Sequence, residues 1–291
     1  MYRSTLAAIP LTLFSLAISS IAHAAEFQHE ATINYAKTDW DKETANYEQH
    51  YDARDISFNY RYSLSPVNTD NVILNEAVFL AKTSSINLGL SHYKFEWYGS
   101  SIFGPYSDRD HVNTLSLTGN WTTESDLFLA LNYYAPISDI DGKAYSYVAL
   151  LGRYINDTTL ASLIAGRFRE KDKHEDINET DDGYGLNLRS LIELNNQYAL
   201  ALKPFIVQGE DYSGRELSAM FYFNKQLGIE YRYLRIVEHD DEINQDDMID
   251  IWTVTLNYHL NEALSWDLTF EQQETDGYEY ETIGASISYR M

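Results

Sequence analysis

The sequence predicts an all-β protein, a transmembrane antiparallel up-and-down β-barrel of about fourteen strands, with twelve to sixteen compatible with the pattern. Three observations predict it. Apolar and polar residues alternate with period two along most of the chain. The connectors between these segments are short and long in turn. Aromatic residues gather at both ends of the apolar faces.

The alternation is clearest in three places. Ile56, Phe58, Tyr60, Tyr62 and Leu64 alternate with Ser57, Asn59, Arg61 and Ser63. Trp252, Val254, Leu256, Tyr258 and Leu260 alternate with Thr253, Thr255, Asn257 and His259. The last segment sets Ile283, Ala285, Ile287 and Tyr289 against Gly284, Ser286, Ser288 and Arg290. Period two puts these two sets on opposite faces of a strand. The segments predicted are 26–38, 54–64, 85–97, 111–121, 127–135, 144–154, 160–170, 184–194, 198–206, 215–223, 227–236, 250–260, 264–272 and 281–291. The third and sixth carry apolar residues on both faces.

The connectors at one rim are short: 122–126, 155–159, 195–197, 224–226 and 261–263. Those at the other rim, 39–53, 170–183, 237–249 and 273–280, are longer and acidic and are expected to be extracellular loops. The stretch 65–84 breaks the pattern. It should be a short periplasmic turn, yet it is long and holds Val72, Leu74, Val78 and Leu80. It reads as an irregular segment able to plug the lumen, or as two further short strands.

Aromatics expected at the membrane interfaces include Tyr62, Trp121, Tyr198, Tyr258, Trp266 and Tyr289 at the periplasmic end, with Tyr133 and Trp252 at the other. Tyr154 and Phe168 fall in the same two sets. Mostly aliphatic residues lie between them, as a bilayer requires. A soluble β-sandwich explains alternation but not this placement.

Composition agrees. Residues 1–24 read as a signal peptide: Arg3, an apolar run from Leu6 to Ile21, then Ala22-His23-Ala24. The 291-residue chain carries a net charge of −23, has no cysteine, and holds 24 tyrosines. The charge argues against nucleic acid as a partner. The aromatic content argues against disorder. No disulfide can hold the fold, so closure of the sheet must.

About fourteen strands spaced about 4.8 Å and tilted about 40° give a backbone diameter of roughly 28 Å, too wide for wall side chains to fill. By period, the inward face carries Arg61, Arg153, Arg167, Arg169, Arg189, Lys203, Arg232 and Arg290. It also carries Glu26, Glu30, Asp55, Glu193, Glu230, Asp267 and Glu271. Arg189, Lys203 and Arg232 either form a basic arc or pair with Glu193 and Glu230. The acidic loops are solvated or bridge to lipopolysaccharide through divalent cations. Asp139-Ile140-Asp141-Gly142 starts like a calcium loop, but Leu150 stands where the bidentate Glu belongs, so no metal site is expected. No Gly-x-Ser-x-Gly, no His-Glu-x-x-His and no cysteine nucleophile occurs, so no enzyme and no cofactor are expected.

The chain resembles a porin family of Gram-negative (γ-proteobacterial) outer membranes over its whole length. The likeness rests on the signal peptide, the acidic tyrosine-rich strands, and Asn75-Glu76-Ala77-Val78-Phe79-Leu80 followed by Thr83-Ser84-Ser85. The ending Tyr289-Arg290-Met291 is similar to the terminal signal read by the barrel-assembly machinery, with Met291 where an aromatic is usual. The resemblance implies a bacterial outer-membrane porin passing small hydrophilic solutes by passive diffusion. A non-conducting structural or adhesive surface barrel with acidic extracellular loops is the alternative.

Overall fold

A computed structural model describes residues 26–43, 47–70, 72–101, 104–137, 142–172, 178–195, 198–210, 212–240, 245–275 and 278–291. The expected signal peptide and the Asp139–Asp141 fragment lie outside the described residues. Fourteen strands are described. In chain order they are β1 (Glu26–Glu43), β2 (Tyr47–Asn68), β3 (Ser85–Ser101), β4 (Gly104–Thr122), β5 (Leu127–Pro136), β6 (Gly142–Asn156) and β7 (Thr159–Asp172). The second half is β8 (Asn178–Glu193), β9 (Ala199–Gln208), β10 (Tyr212–Tyr222), β11 (Leu227–Asp240), β12 (Gln245–His259), β13 (Leu264–Thr275) and β14 (Tyr278–Arg290). Each pairs antiparallel with its neighbours in sequence, and β14 closes the barrel on β1. No described helix is long and apolar enough to cross a membrane.

The first and last strands close in antiparallel register. Ile33 faces Ile287, and Tyr289 faces Ala31. At the rim the Met291 carbonyl accepts from both Gln28 N and His29 N at 2.9 Å, where the β1 ladder bulges between Phe27 and His29. Backbone groups have no water to turn to inside a bilayer, so only such a closed ladder is stable there.

The outer face is a band of exposed aliphatics, among them Leu88, Leu131, Leu163, Leu186, Val254 and Leu268. A water-soluble protein does not expose such a belt; a bilayer covers it.

One expectation is corrected. The acidic stretches 39–53, 170–183, 237–249 and 273–280 are mostly not loops. Strand pairing runs through them, to Glu43–Glu48 in the first hairpin and Asp240–Gln245 in the eleventh. The β-ladder is indifferent to side-chain polarity once it stands clear of lipid, so charge ends the hydropathy pattern without ending the strand. The wall is therefore uneven. The 22 residues of β2 rise about 57 Å at about 3.4 Å each and about 40° tilt, against about 26 Å for the 10 residues of β9. Inward-facing Trp40, Tyr51, Trp97, Tyr278 and Tyr280 brace the tall side, with Trp40 only 4% exposed and 5.5 Å from Trp97.

Val254 lies on the outer face between Tyr258 and Trp252. Val254→Arg is expected to lower the barrel's unfolding free energy in lipid vesicles by about 2–4 kcal/mol. Thr255→Arg, one residue on and facing the lumen, costs clearly less; equal costs in denaturant titrations would reverse the assignment of faces.

Candidate functional site: the lumen and its periplasmic constriction

The long connector between β2 and β3 turns back into the barrel. It forms a single 3-10 turn over Leu74–Glu76 and one helical turn, α1 (Ala77–Leu80). Lys82 then reverses the chain in the left-handed region, at φ 49°. So short a helix has no stability of its own. Packing holds it. Most inward residues of β6–β10 at this end are not charged: Tyr154, Leu160, Leu191, Met220 and Tyr222 form a buried cluster around Phe79. Ala199 and Ala201 on β9 leave the room, and the Phe79 and Tyr154 rings are 5.6 Å apart. A second cluster joins Ala77 to Phe27 and Val67.

Polar contacts fix the segment's register. Glu76 is 1% exposed. Its carboxylate accepts from the Arg189 guanidinium and, at 2.7 Å, from the Tyr222 hydroxyl. Arg189 lies over the Phe79 ring, 4.2 Å from its centroid. Asn75 Nδ2 reaches Met220 Sδ at 3.2 Å and Tyr222 Oη at 3.4 Å. On the other side Arg290 donates to Glu30 at 2.6 Å and to the Leu74 carbonyl at 3.0 Å. Lys82 straps the end of the segment to two periplasmic turns, through Asp126 at 2.8 Å and Asp157 at 3.0 Å. Those two hydrogen bonds hold the Lys82 ammonium above its ordinary value.

The segment leaves a cavity of about 310 Å³ against the opposite wall. Asn75, Val78 and Thr83 border it from the segment. Glu30, Arg61, Arg189 and Arg290 border it from the barrel. Arg61 is tied to Asn87 at 2.9 Å and to Glu30 at 3.4 Å. Three guanidinium groups and the carboxylates of Glu30 and Glu76 thus stand around the segment, one positive charge in excess.

Strand parity places the other expected residues. Lys203 and Arg232 face inward, but each has a carboxylate: Glu230 at 3.4 Å and Glu271 at 3.0 Å. Arg189 is compensated by Glu76 rather than by Glu193, which sits exposed at the periplasmic rim. The basic arc is therefore neutralised. Arg153 and Arg167 face outward, contrary to expectation. Arg153 is paired with outward Leu127, and Arg167 with Tyr147 and Asp182, forming a 2.7 Å ion pair with Asp182. Arg153 lies near the end of β6 and Arg167 level with the girdle residue Tyr133, where the outer face leaves the hydrocarbon and a charge is no guide to the lumen. Tyr154 and Phe168 are corrected the other way, to the inward face. Tyr62, Trp121, Tyr133, Tyr198, Trp252, Tyr258, Trp266 and Tyr289 all share the parity of the lipid-facing aliphatics on their strands.

Sequence reasoning missed Glu76, Phe79 and Tyr222. The signals were the apolar residues in 72–80 and the doubly apolar sixth segment, whose inward face packs on Phe79. Asp39, His50 and Asp52 bring donor atoms together on the outer face of β1–β2. Lys37 bridges both carboxylates, at 2.7 and 3.1 Å, Arg54 pairs with Asp52 at 3.1 Å, and His50 is engaged by Asp41.

Glu76→Ala leaves the Arg189 guanidinium without its carboxylate. A broken buried pair costs about 3 kcal/mol, the lower end of the usual range because Arg189 is 32% exposed. The variant barrel is expected to keep its heat-dependent gel mobility while trypsin cuts after Lys82 much faster. Unchanged resistance would mean that the apolar packing alone anchors the segment.

No family model and no curated protein sequence matches this chain. Among solved structures it is similar to the outer membrane protein Omp33 of Acinetobacter baumannii, with 14% identity, a TM-score of 0.59, and coverage of 92% of this chain and 100% of that one. It is also similar to an outer membrane channel from Pseudomonas putida F1, with 8% identity, a TM-score of 0.52, and coverage of 91% and 96%. Both likenesses are of fold, and the shared fold is that of bacterial outer-membrane barrels.

Proposed function

We propose that the chain is an outer-membrane channel for the passive diffusion of small hydrophilic solutes or ions, with residues 72–84 as the constriction that sets its size limit. The observation that carries this reading is the polar gap beside that segment, about 310 Å³ and bordered by Glu30, Arg61, Arg189 and Arg290. A segment meant only to seal would meet apolar wall on every side. Here it meets a largely apolar wall across β6–β10, with Arg189 on β8 as its charged member, and a charged wall across β1, β2 and β14. Charges fixed around a wet gap select by size and weakly by sign. In this reading β14, with Ile283, Ala285, Ile287 and Tyr289 outward, also serves as the strand read by the barrel-assembly machinery.

The non-conducting barrel remains the second reading because one observation favours it: buried Glu76 and its two partners hold the segment firmly. Planar-bilayer recording separates the two. The full barrel is expected to give stable current steps that scale with salt. Replacing residues 70–82 by an Asn-Gly turn is expected to raise the step several-fold. Silent wild type with a conducting deletion variant would favour the sealed barrel, and silence from both would remove the channel reading.

A further inference from the structure

We infer that the outer wall between β6 and β11 binds a phosphorylated lipid of the outer leaflet: Arg215 and Arg235 hold its phosphate, and an oblique apolar groove beneath them holds an acyl chain. The site is separate from the lumen and does not depend on conduction.

The first observation is a charge conflict. Arg215 on β10 and Arg235 on β11 are direct cross-strand partners. Both face outward, by parity with Leu217 and Tyr233, and like charges placed so oppose pairing. Asp250 on β12 relieves only one of them. It binds Arg235 through both oxygens at 2.6 Å and accepts the Tyr233 hydroxyl at 2.7 Å. Among the described residues Arg215 makes no ion pair. Glu274 faces Asp250 from β13, one strand further away. Two guanidinium groups thus stand beside one carboxylate, and a phosphate on the open fork of Arg215 and the remaining Nη1 edge of Arg235 would satisfy them.

The second observation is height. Arg235 stands one outward position above Tyr233, whose ring lies 4.1 Å from that of Trp252. Those rings belong to the extracellular aromatic girdle, so the arginines sit at headgroup level.

The third is the groove, about 980 Å³ on the outer wall. Its ridge is one ladder row, in which Leu151, Leu163, Leu186 and Ile206 face one another in turn, and the same row continues into Arg215 and then Arg235. Ala149 and Ala165 form its floor. Because strands in such barrels tilt by about 40°, a ladder row climbs obliquely through the bilayer. The apolar trough therefore ends where the phosphate-seeking charges begin. That order, chain then phosphate, is the order of atoms in a membrane lipid.

The test uses the full barrel in detergent with EDTA, so that no divalent cation can bridge carboxylates. Binding is measured by native mass spectrometry for lipid A, dephosphorylated lipid A and phosphatidylcholine, with inorganic phosphate as competitor. The wild-type chain is expected to bind lipid A at least tenfold more tightly than its dephosphorylated form. R215Q/R235Q is expected to abolish that preference, and A149F/A165F to weaken both forms. Equal wild-type affinity for the two forms overturns the proposal whether or not the variants fold. Full displacement by millimolar phosphate also overturns it, because the groove would then contribute nothing.

Discussion

The closing seam between β1 and β14 is the constraint on which the rest depends. Until it forms, two strand edges present unpaired amides to hydrocarbon, at several kcal/mol for each unsatisfied group. The seam also does a second job. Arg290 on β14 binds Glu30 on β1, lies 4.8 Å from the Phe27 ring centroid, and donates to the Leu74 carbonyl of the inserted segment. Closure and constriction thus share a side chain. The segment finds its seat complete only when the first and last strands have met, which couples lumen geometry to closure of the barrel.

At the periplasmic end the usual arrangement of faces is locally reversed. The inward sides of β6–β10 there carry a buried apolar cluster that meets Phe79, so the barrel contains a small core of the kind found in soluble proteins. Burying each such large side chain contributes about 1.5–3 kcal/mol. That is enough to seat a one-turn helix that would not persist alone. Glu76 within this core contributes position more than stability, since a buried carboxylate must recover its desolvation cost from Arg189 and Tyr222.

Most of the fold was legible because a lipid-facing strand must alternate. Where the lipid stops, so does the requirement. The crown of β1–β2 and of β11–β12 reads as acidic loop for that reason, although the ladder continues through it. Arg153 and Arg167 were misplaced by the same boundary: within the hydrocarbon, charge marks the lumen, but outside it both faces are wet. The constriction was half legible. Val72, Leu74, Val78 and Leu80 showed that 65–84 was no ordinary turn, while the partnership of Glu76 with Arg189 spans 113 positions and has no local signature.

Two sets of charge act on a permeating ion, and they lie far apart. The acidic crown, with inward-facing Asp108, Asp110 and Glu238, stands at one end of strands that rise at least about 26 Å, and the segment with its excess guanidinium stands at the other. The Debye length is about 30 Å at 0.01 M salt and about 3 Å at 1 M. At low salt the crown's field reaches the whole lumen and concentrates cations. At high salt only charges within a few ångströms of the path act, and those are Arg61, Arg189 and Arg290 with Glu30. Reversal potentials under a fixed salt ratio are therefore expected to favour cations at low ionic strength and to move towards anions as salt rises. A preference independent of salt would mean that one set of charges governs throughout, and its sign would say which.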